Sequence, residues 1–392
     1  MPRRRTTCGI SGLILCIWLV SCADYNRNYA PDAVHWNQPL PDAPIAHTVF
    51  LIGDAGDAKN GKIPPALTLL GSHLQGAATN STVVFLGDNL YPDGMAPEQA
   101  AAERADDEFR LKAQLDVVRG FPGHVFFVPG NHDWYSYGLE GLKRQQLFIE
   151  TYLERHGAWQ PNSGCGDPKV IRLSESLVLI LLDTEWWLTD WDDEPGINQG
   201  CAAKSRNHFK ALFEEALQRH REKHVIIAMH HPMYSQGPHG GTSTVKEHLF
   251  PLTRLNPYLW FPLPVLGSIY PLYRAFFGTR QDIAHPGYQA LRRAILDAAR
   301  QHGHFIFVAG HDHSLQYAEA DGQSFIISGA GSKRSATRTG QGTQFGYGQY
   351  GFAQLTIYRD GSVWVQFWSV DHPPDPSGQL VFRKQLKPAW PR

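Results

Sequence analysis

Five short β-rich runs in this chain end on side chains that can hold a cation. Residues 48–52 lead into Gly53-Asp54, 83–86 into Gly87-Asp88, 125–128 into Pro129-Gly130-Asn131-His132, 225–229 into His230 and 305–309 into Gly310-His311. One polar strand end signifies little, because Asp and Asn favour turns in any case. Five in succession point to a common ligand. The donors are carboxylates, an amide and imidazoles with no thiolate, a set that suits Fe, Mn, Zn or Mg rather than a cysteine zinc cluster or copper(I). Tyr91, shortly after Asp88, adds a phenol. A tyrosine ligates only after losing its proton, and against a free pKa of about 10 that demands a strong Lewis acid such as Fe(III). A packed aromatic at a loop start is the alternative for this residue. His231 competes with His230, and the His-x-Pro spacing to Pro232 favours His230.

Helical stretches lie between these runs, at 97–119, 139–156, 202–223 and 286–303, punctuated by Gly120, Gly157, Pro286 and Gly303. Buried strands alternating with helices specify an α/β protein. In open α/β sheets ligands bind beyond the carboxyl ends of the strands, so the five ends are expected to meet. Glycine ahead of the polar residue at four of them lets the backbone turn sharply and approach a bound group.

In this order, the blocks Asp54-Ala55-Gly56, Gly87-Asp88-Asn89-Leu90-Tyr91, Gly130-Asn131-His132-Asp133, Ile227-Ala228-Met229-His230 and Gly310-His311-Asp312-His313 resemble the calcineurin-like metallophosphoesterases. They are most similar to the purple acid phosphatases of the tartrate-resistant type. The first block alone carries almost no weight and the third a moderate one; jointly, with the tyrosine, they are specific, and the resemblance extends over 45–388. It implies a four-layer α/β/β/α sandwich of two mixed sheets packed face to face, with a dinuclear site at the strand C-terminal ends. It implies Fe(III) held by Asp54, Asp88, Tyr91 and His313, and a second divalent metal (Fe, Zn or Mn) completed by Asn131, His230 and His311, with Asp88 bridging. Hydroxide would attack phosphorus in line while His132 assists the leaving group. His239, in Gln236-Gly237-Pro238-His239-Gly240, takes the place of a second substrate-side histidine. Because Fe(III) acidifies water strongly, an acid pH optimum is expected.

The start of the chain has the proportions of a sorting label. Arg3, Arg4 and Arg5 precede an apolar run at 13–20 that is too short for a comfortable membrane span. The sequence before Cys22 resembles the lipobox of bacterial lipoproteins, with an uncleaved anchor helix as the alternative. Residues 1–21 are therefore expected to be a signal peptide, Cys22 the lipidated terminus, 22–44 a proline-containing spacer, 45–388 the catalytic domain and 389–392 a tail. Ala23, where inner-membrane retention usually shows Asp, favours an outer-membrane anchor facing the periplasm or the cell surface. In that oxidising compartment Cys165 and Cys201 are either paired in a disulfide or left as two buried thiols.

Composition narrows the partners. With 36 basic and 37 acidic residues the net charge is −1, which leaves no electrostatic footprint for a nucleic-acid backbone. Trp186, Trp187 and Trp191, interleaved with Glu185, Asp190, Asp192 and Asp193, form either a substrate-facing loop or an anchored surface loop. An insertion at 249–284 departs from the family pattern. Its stretch 255–273 is uncharged and aromatic, but Pro257, Pro262, Pro264 and Pro271 interrupt it, unlike a spanning helix. It is a membrane-interface contact, a lid over the site, or an additional packed subdomain. The expected function is an exported, lipid-anchored phosphatase acting on a small phosphate monoester. A phosphodiesterase or nucleotide hydrolase on the same centre, and a non-catalytic surface binding lipoprotein, are the alternatives. Apart from the membrane, no partner is implied.

Overall fold

The computed structural model describes residues 23–370 and 378–390; the expected signal peptide and Cys22 lie outside them. The strands, in chain order, are β1 (Arg27–Tyr29), β2 (Ile45–Ile52), β3 (Ser81–Phe85), β4 (His124–Phe127), β5 (Lys169–Arg172), β6 (Leu177–Leu181) and β7 (His224–Ala228). They continue with β8 (Ile306–Ala309), β9 (Leu315–Ala320), β10 (Gln323–Ser328), β11 (Thr343–Tyr347), β12 (Gly351–Tyr358), β13 (Val363–Ser369) and β14 (Gln379–Lys387). One sheet has the order β14-β13-β12-β2-β3-β4 and the other β1-β11-β9-β10-β8-β7-β6-β5. Both are mixed: β2, β3 and β4 run parallel, as do β6, β7, β8 and β10, while the flanking strands pair antiparallel.

Side-chain alternation decides the layering. Val49 and Leu51 of β2 share the core between the sheets with Leu179, Ile226 and Val308, whereas Phe50 and Ile52 turn outward to the helical side. Five helices, α1 (Pro65–Leu74), α2 (Ala101–Val118), α3 (Gly138–Leu153), α4 (Arg206–His220) and α5 (Pro286–His302), form the outer layers. The first three pack together over the six-stranded sheet and the last two over the eight-stranded one. The four layers are those of the α/β/β/α sandwich. Because β2, β3, β4, β7 and β8 all point their carboxyl ends the same way, loops from both sheets meet at one rim.

Residues 23–44, expected to be a spacer, lie on the domain instead. β1 adds to the edge of the larger sheet beside β11, and Tyr29 and Trp36 stack on each other and on Phe382. Aromatic burial outweighs the polar, proline-containing composition. Of the residues expected to be the tail, Trp390 is held similarly, stacked on His224. The tryptophans anchor their loop: Trp186 is fully buried against Phe209, Trp187 is buried beside it, and half-buried Trp191 packs on Trp186.

Cys165 and Cys201 are joined in a disulfide that closes a sequence separation of 36. A link of that span restricts the unfolded chain by about 4 kcal/mol in the chain-entropy model. The Cys165→Ser, Cys201→Ser double variant is expected to lose about 2 to 4 kcal/mol of unfolding free energy in denaturant titrations. An unchanged midpoint would show that the bond contributes nothing.

Candidate metal centre

Three of the five strand ends deliver their residue through a sharp reversal. Asp54, Asp88 and His311 all adopt left-handed backbone (φ 57°, 54° and 69°), a conformation non-glycine residues hold only when surrounding structure enforces it. Glycine makes room for them: a Cβ on Gly310 would lie 2.6 Å from Asp54 Oδ2 and 2.9 Å from the Leu86 carbonyl. Asp133, buried behind the rim, clamps two loops by accepting from the backbone N–H groups of Gly130 (2.7 Å), Asn89 (3.0 Å) and Leu90 (3.1 Å).

Two groups of donors result. In the first, Asp54, Asp88 and His313 place ligand atoms within 4.8 Å of one another. The Tyr91 hydroxyl lies among them, 2.7 Å from Asp88 Oδ2, 3.0 Å from Asp54 Oδ1 and 3.2 Å from His313 Nε2. In the second, Asn131 Oδ1 is 3.0 Å from both His230 Nε2 and His311 Nδ1, and those nitrogens are 3.1 Å apart. Asp88 stands between the groups, its Oδ1 lying 3.3 Å from His230 Nε2. The structure thus brings together all seven residues singled out as ligands.

Their outward hydrogen bonds fix which atoms face inward. His230 Nδ1 donates to the Leu86 carbonyl (2.8 Å) and His311 Nε2 to the Gln281 carbonyl (2.8 Å), since a carbonyl can only accept. The amide of Asn131 donates to the Tyr135 hydroxyl at 2.9 Å. Burial, followed by the neighbouring histidines, holds the His311 pKa well below its ordinary value and keeps the ring neutral. Asn131 Oδ1, His230 Nε2 and His311 Nδ1 therefore converge as three donor atoms on one point. A cation satisfies them all.

The carboxylate group makes the same demand. Burial raises the Asp54 pKa to about 8, aided by the charge of Asp88; burial also opposes ionisation of Asp88, but His230 and His132 outweigh it and hold that pKa low. Burial beside both acids pushes the Tyr91 phenol well above its usual value. Without a cation the site would keep protons on Asp54 and Tyr91. With one, both become anionic oxygen donors, so the residues fit a hard, highly charged ion.

His231 belongs to the same cluster by distance. Both its ring nitrogens are nevertheless engaged, Nδ1 with Thr184 Oγ1 and Nε2 with Gln281 Oε1, each at 2.7 Å. It supports the site from behind. His132 is not among the converging donors. Its N–H donates to Asp88 Oδ1 (2.9 Å), its ring lies 4.4 Å from that of Tyr91, and Nδ1 sits 2.5 Å from the Pro92 carbonyl. His239 stacks on His311 with ring centroids 3.9 Å apart, and Nδ1 is 3.0 Å from Asp282 Oδ1.

Several contributors carry no sequence signal. Gln281, Asp282 and Arg274 come from the 249–284 insertion: Gln281 orients His311 and His231, while Arg274 and Asp282 form an ion pair against His239. The insertion therefore walls the site at its C-terminal end. Lys333 places Nζ 3.1 Å from the Tyr91 ring centroid. Asp133 alone was findable, as the last letter of the Gly130-Asn131-His132-Asp133 block.

Two facing mixed sheets that gather donors for paired cations at their strand ends define an α/β metallophosphoesterase fold. The family model for calcineurin-like phosphoesterases matches residues 47–329, and the chain belongs to that family. It is similar to the tartrate-resistant acid phosphatase type 5 of Sus scrofa, at 23% identity over 255 residues, covering 64% of this chain and 58% of that protein. The chain thus spans less than two thirds of the length of the curated relative it matches. Among solved structures it is similar to purple acid phosphatase PPD1 from yellow lupin (Lupinus luteus) seeds, with a TM-score of 0.50 and 13% identity over 88% of this chain and 55% of that one. That likeness is one of fold.

Proposed function

We propose that this chain is an exported, lipid-anchored phosphatase that hydrolyses phosphate monoesters at a dinuclear centre of Fe(III) and a divalent Fe, Zn or Mn. The observation that carries the proposal is the Tyr91 hydroxyl lodged between Asp54, Asp88 and His313, a phenol placed where only a strongly acidic cation makes use of it. Asp54, Asp88, Tyr91 and His313 would hold the ferric ion, and Asp88, Asn131, His230 and His311 the divalent one. When bound, the pair neutralises phosphoryl charge and acidifies water.

The remaining work falls to this chain's own side chains. With Nδ1 donating to Pro92, His132 has Nε2 left for the substrate side; protonated there, it gives its proton to the departing alkoxide oxygen. His239, held by Asp282, offers Nε2 to a phosphoryl oxygen. Lys333 adds positive charge over the Tyr91 ring, which favours the phenolate and an incoming dianion. The order of arginines, apolar run and Cys22 supports export, and the disulfide suits an oxidising compartment.

Hydrolysis of p-nitrophenyl phosphate between about pH 4 and 9 should show one maximum on the acid side of neutrality, and bis(p-nitrophenyl) phosphate should be the poorer substrate. A maximum at the alkaline end contradicts the ferric ion. Faster turnover of the diester contradicts the monoesterase.

A further inference from the structure

We propose that the 249–277 part of the insertion is a docking surface for a lipid bilayer, holding the metal centre at the membrane face. This goes beyond the phosphatase proposal and rests only on its N-terminal tether. The segment ends in the helix Ile269–Phe276, whose Ile269, Leu272, Tyr273 and Phe276 recur at helical spacing. That apolar stripe points outward: all four are exposed, Phe276 to 72%, while Pro271 is buried on the opposite side and Arg274 turns inward to Asp282. A helix that shows water its apolar face and the protein its polar one is oriented for an interface. Tyr258, Trp260 and Phe261, exposed to 88%, 56% and 62%, extend the surface beyond what an isolated soluble face carries.

Three observations select a bilayer as the occupant. Residues 249–277 contain no acid, and with Arg274 turned inward the exposed cations on this side are Arg254 and the neighbouring Lys246, which suit anionic headgroups. Basic groups lie beside the aromatic rings, Lys246 at 4.6 Å from Trp260 and Arg254 at 4.7 Å from Tyr270, the mixture that settles at the headgroup level. Most directly, the described chain enters the fold here: the Ala23 N–H donates to the Ser243 carbonyl at 3.1 Å, and Ala23 and Tyr25 share a pocket with Val245, Thr253 and Arg254. An attachment at or before Cys22 therefore sets this surface against the membrane. Among the described residues no helix is long and apolar enough to cross a membrane, so the segment lies on the bilayer.

The test uses the full chain with vesicles of phosphatidylethanolamine and phosphatidylglycerol, read by flotation and by amide hydrogen exchange. Flotation reports the tether; exchange within 249–277 reports the surface. On vesicles, exchange in 249–277 should slow at least about tenfold relative to lipid-free protein, with α4 unchanged. A variant carrying Tyr258→Asp, Trp260→Asp and Phe276→Asp should still float and still hydrolyse p-nitrophenyl phosphate in solution, but lose that protection. Equal exchange with and without vesicles in floating protein overturns the proposal. So does protection already present without lipid, which identifies the N-terminal segment as occupant, or protection that rises with protein concentration, which identifies a second copy. Failure to float refutes the tether alone, and protection at high lipid concentration then decides the surface.

Discussion

Asp88→Ala is expected to abolish binding at both cation positions and lower kcat/KM for p-nitrophenyl phosphate by at least about 10³-fold. Asp88 faces both donor groups: Oδ2 accepts from Tyr91 at 2.7 Å, and Oδ1 lies 3.3 Å from His230 Nε2. Its removal takes a full negative charge from a buried position, and it also frees the His132 N–H that Oδ1 holds at 2.9 Å. The remaining donors cannot compensate, because Asn131, His230 and His311 bring no negative charge. Metal analysis and steady-state kinetics check this together. Two metals per chain in the variant, with kcat/KM within about tenfold of the parent, would show that Asp88 bridges nothing.

His132→Ala is expected to have the opposite signature, retaining both metals while losing rate in a way that follows the leaving group. General acid catalysis contributes about 10² to 10⁴-fold, and only where the departing oxygen needs a proton. An alkyl phosphate should therefore lose about 10³-fold, whereas p-nitrophenyl phosphate, whose phenolate leaves unaided, should lose far less. The backbone N–H to Asp88 survives the substitution, so the metal positions are left intact. Equal losses on both substrates would assign His132 to binding or orientation rather than to proton delivery.

The strand ends were legible in the sequence because each one couples a buried β-run to a polar residue across a tight turn, and such local pairs leave a mark within a few residues. Asp54, Asp88, Asn131, His230 and His311 were found on that basis, and the left-handed backbone of three of them explains the glycines nearby. Gln281 and Asp282 were not found. Their roles depend on a carbonyl and a carboxylate brought to His311 and His239 from 30 and 43 residues away, with no period or motif to announce them. Composition misled for residues 23–44, where Tyr29 and Trp36 find Phe382 more than three hundred residues on in the sequence, a contact that polar and proline content conceals. For the insertion, proline and aromatic content excluded a spanning helix. The outward direction of its apolar stripe came only from the structure.

The proposal that Tyr91, as a phenolate, holds a trivalent ion is tested most directly by optical absorption with metal analysis on one purified sample. Wild-type protein should contain two metals per chain and show a visible phenolate-to-iron band, and Tyr91→Phe should lose that band while keeping its fold. A band that persists in Tyr91→Phe, or a metal-replete wild type with no visible absorption, would contradict the ferric assignment and the role given to Tyr91.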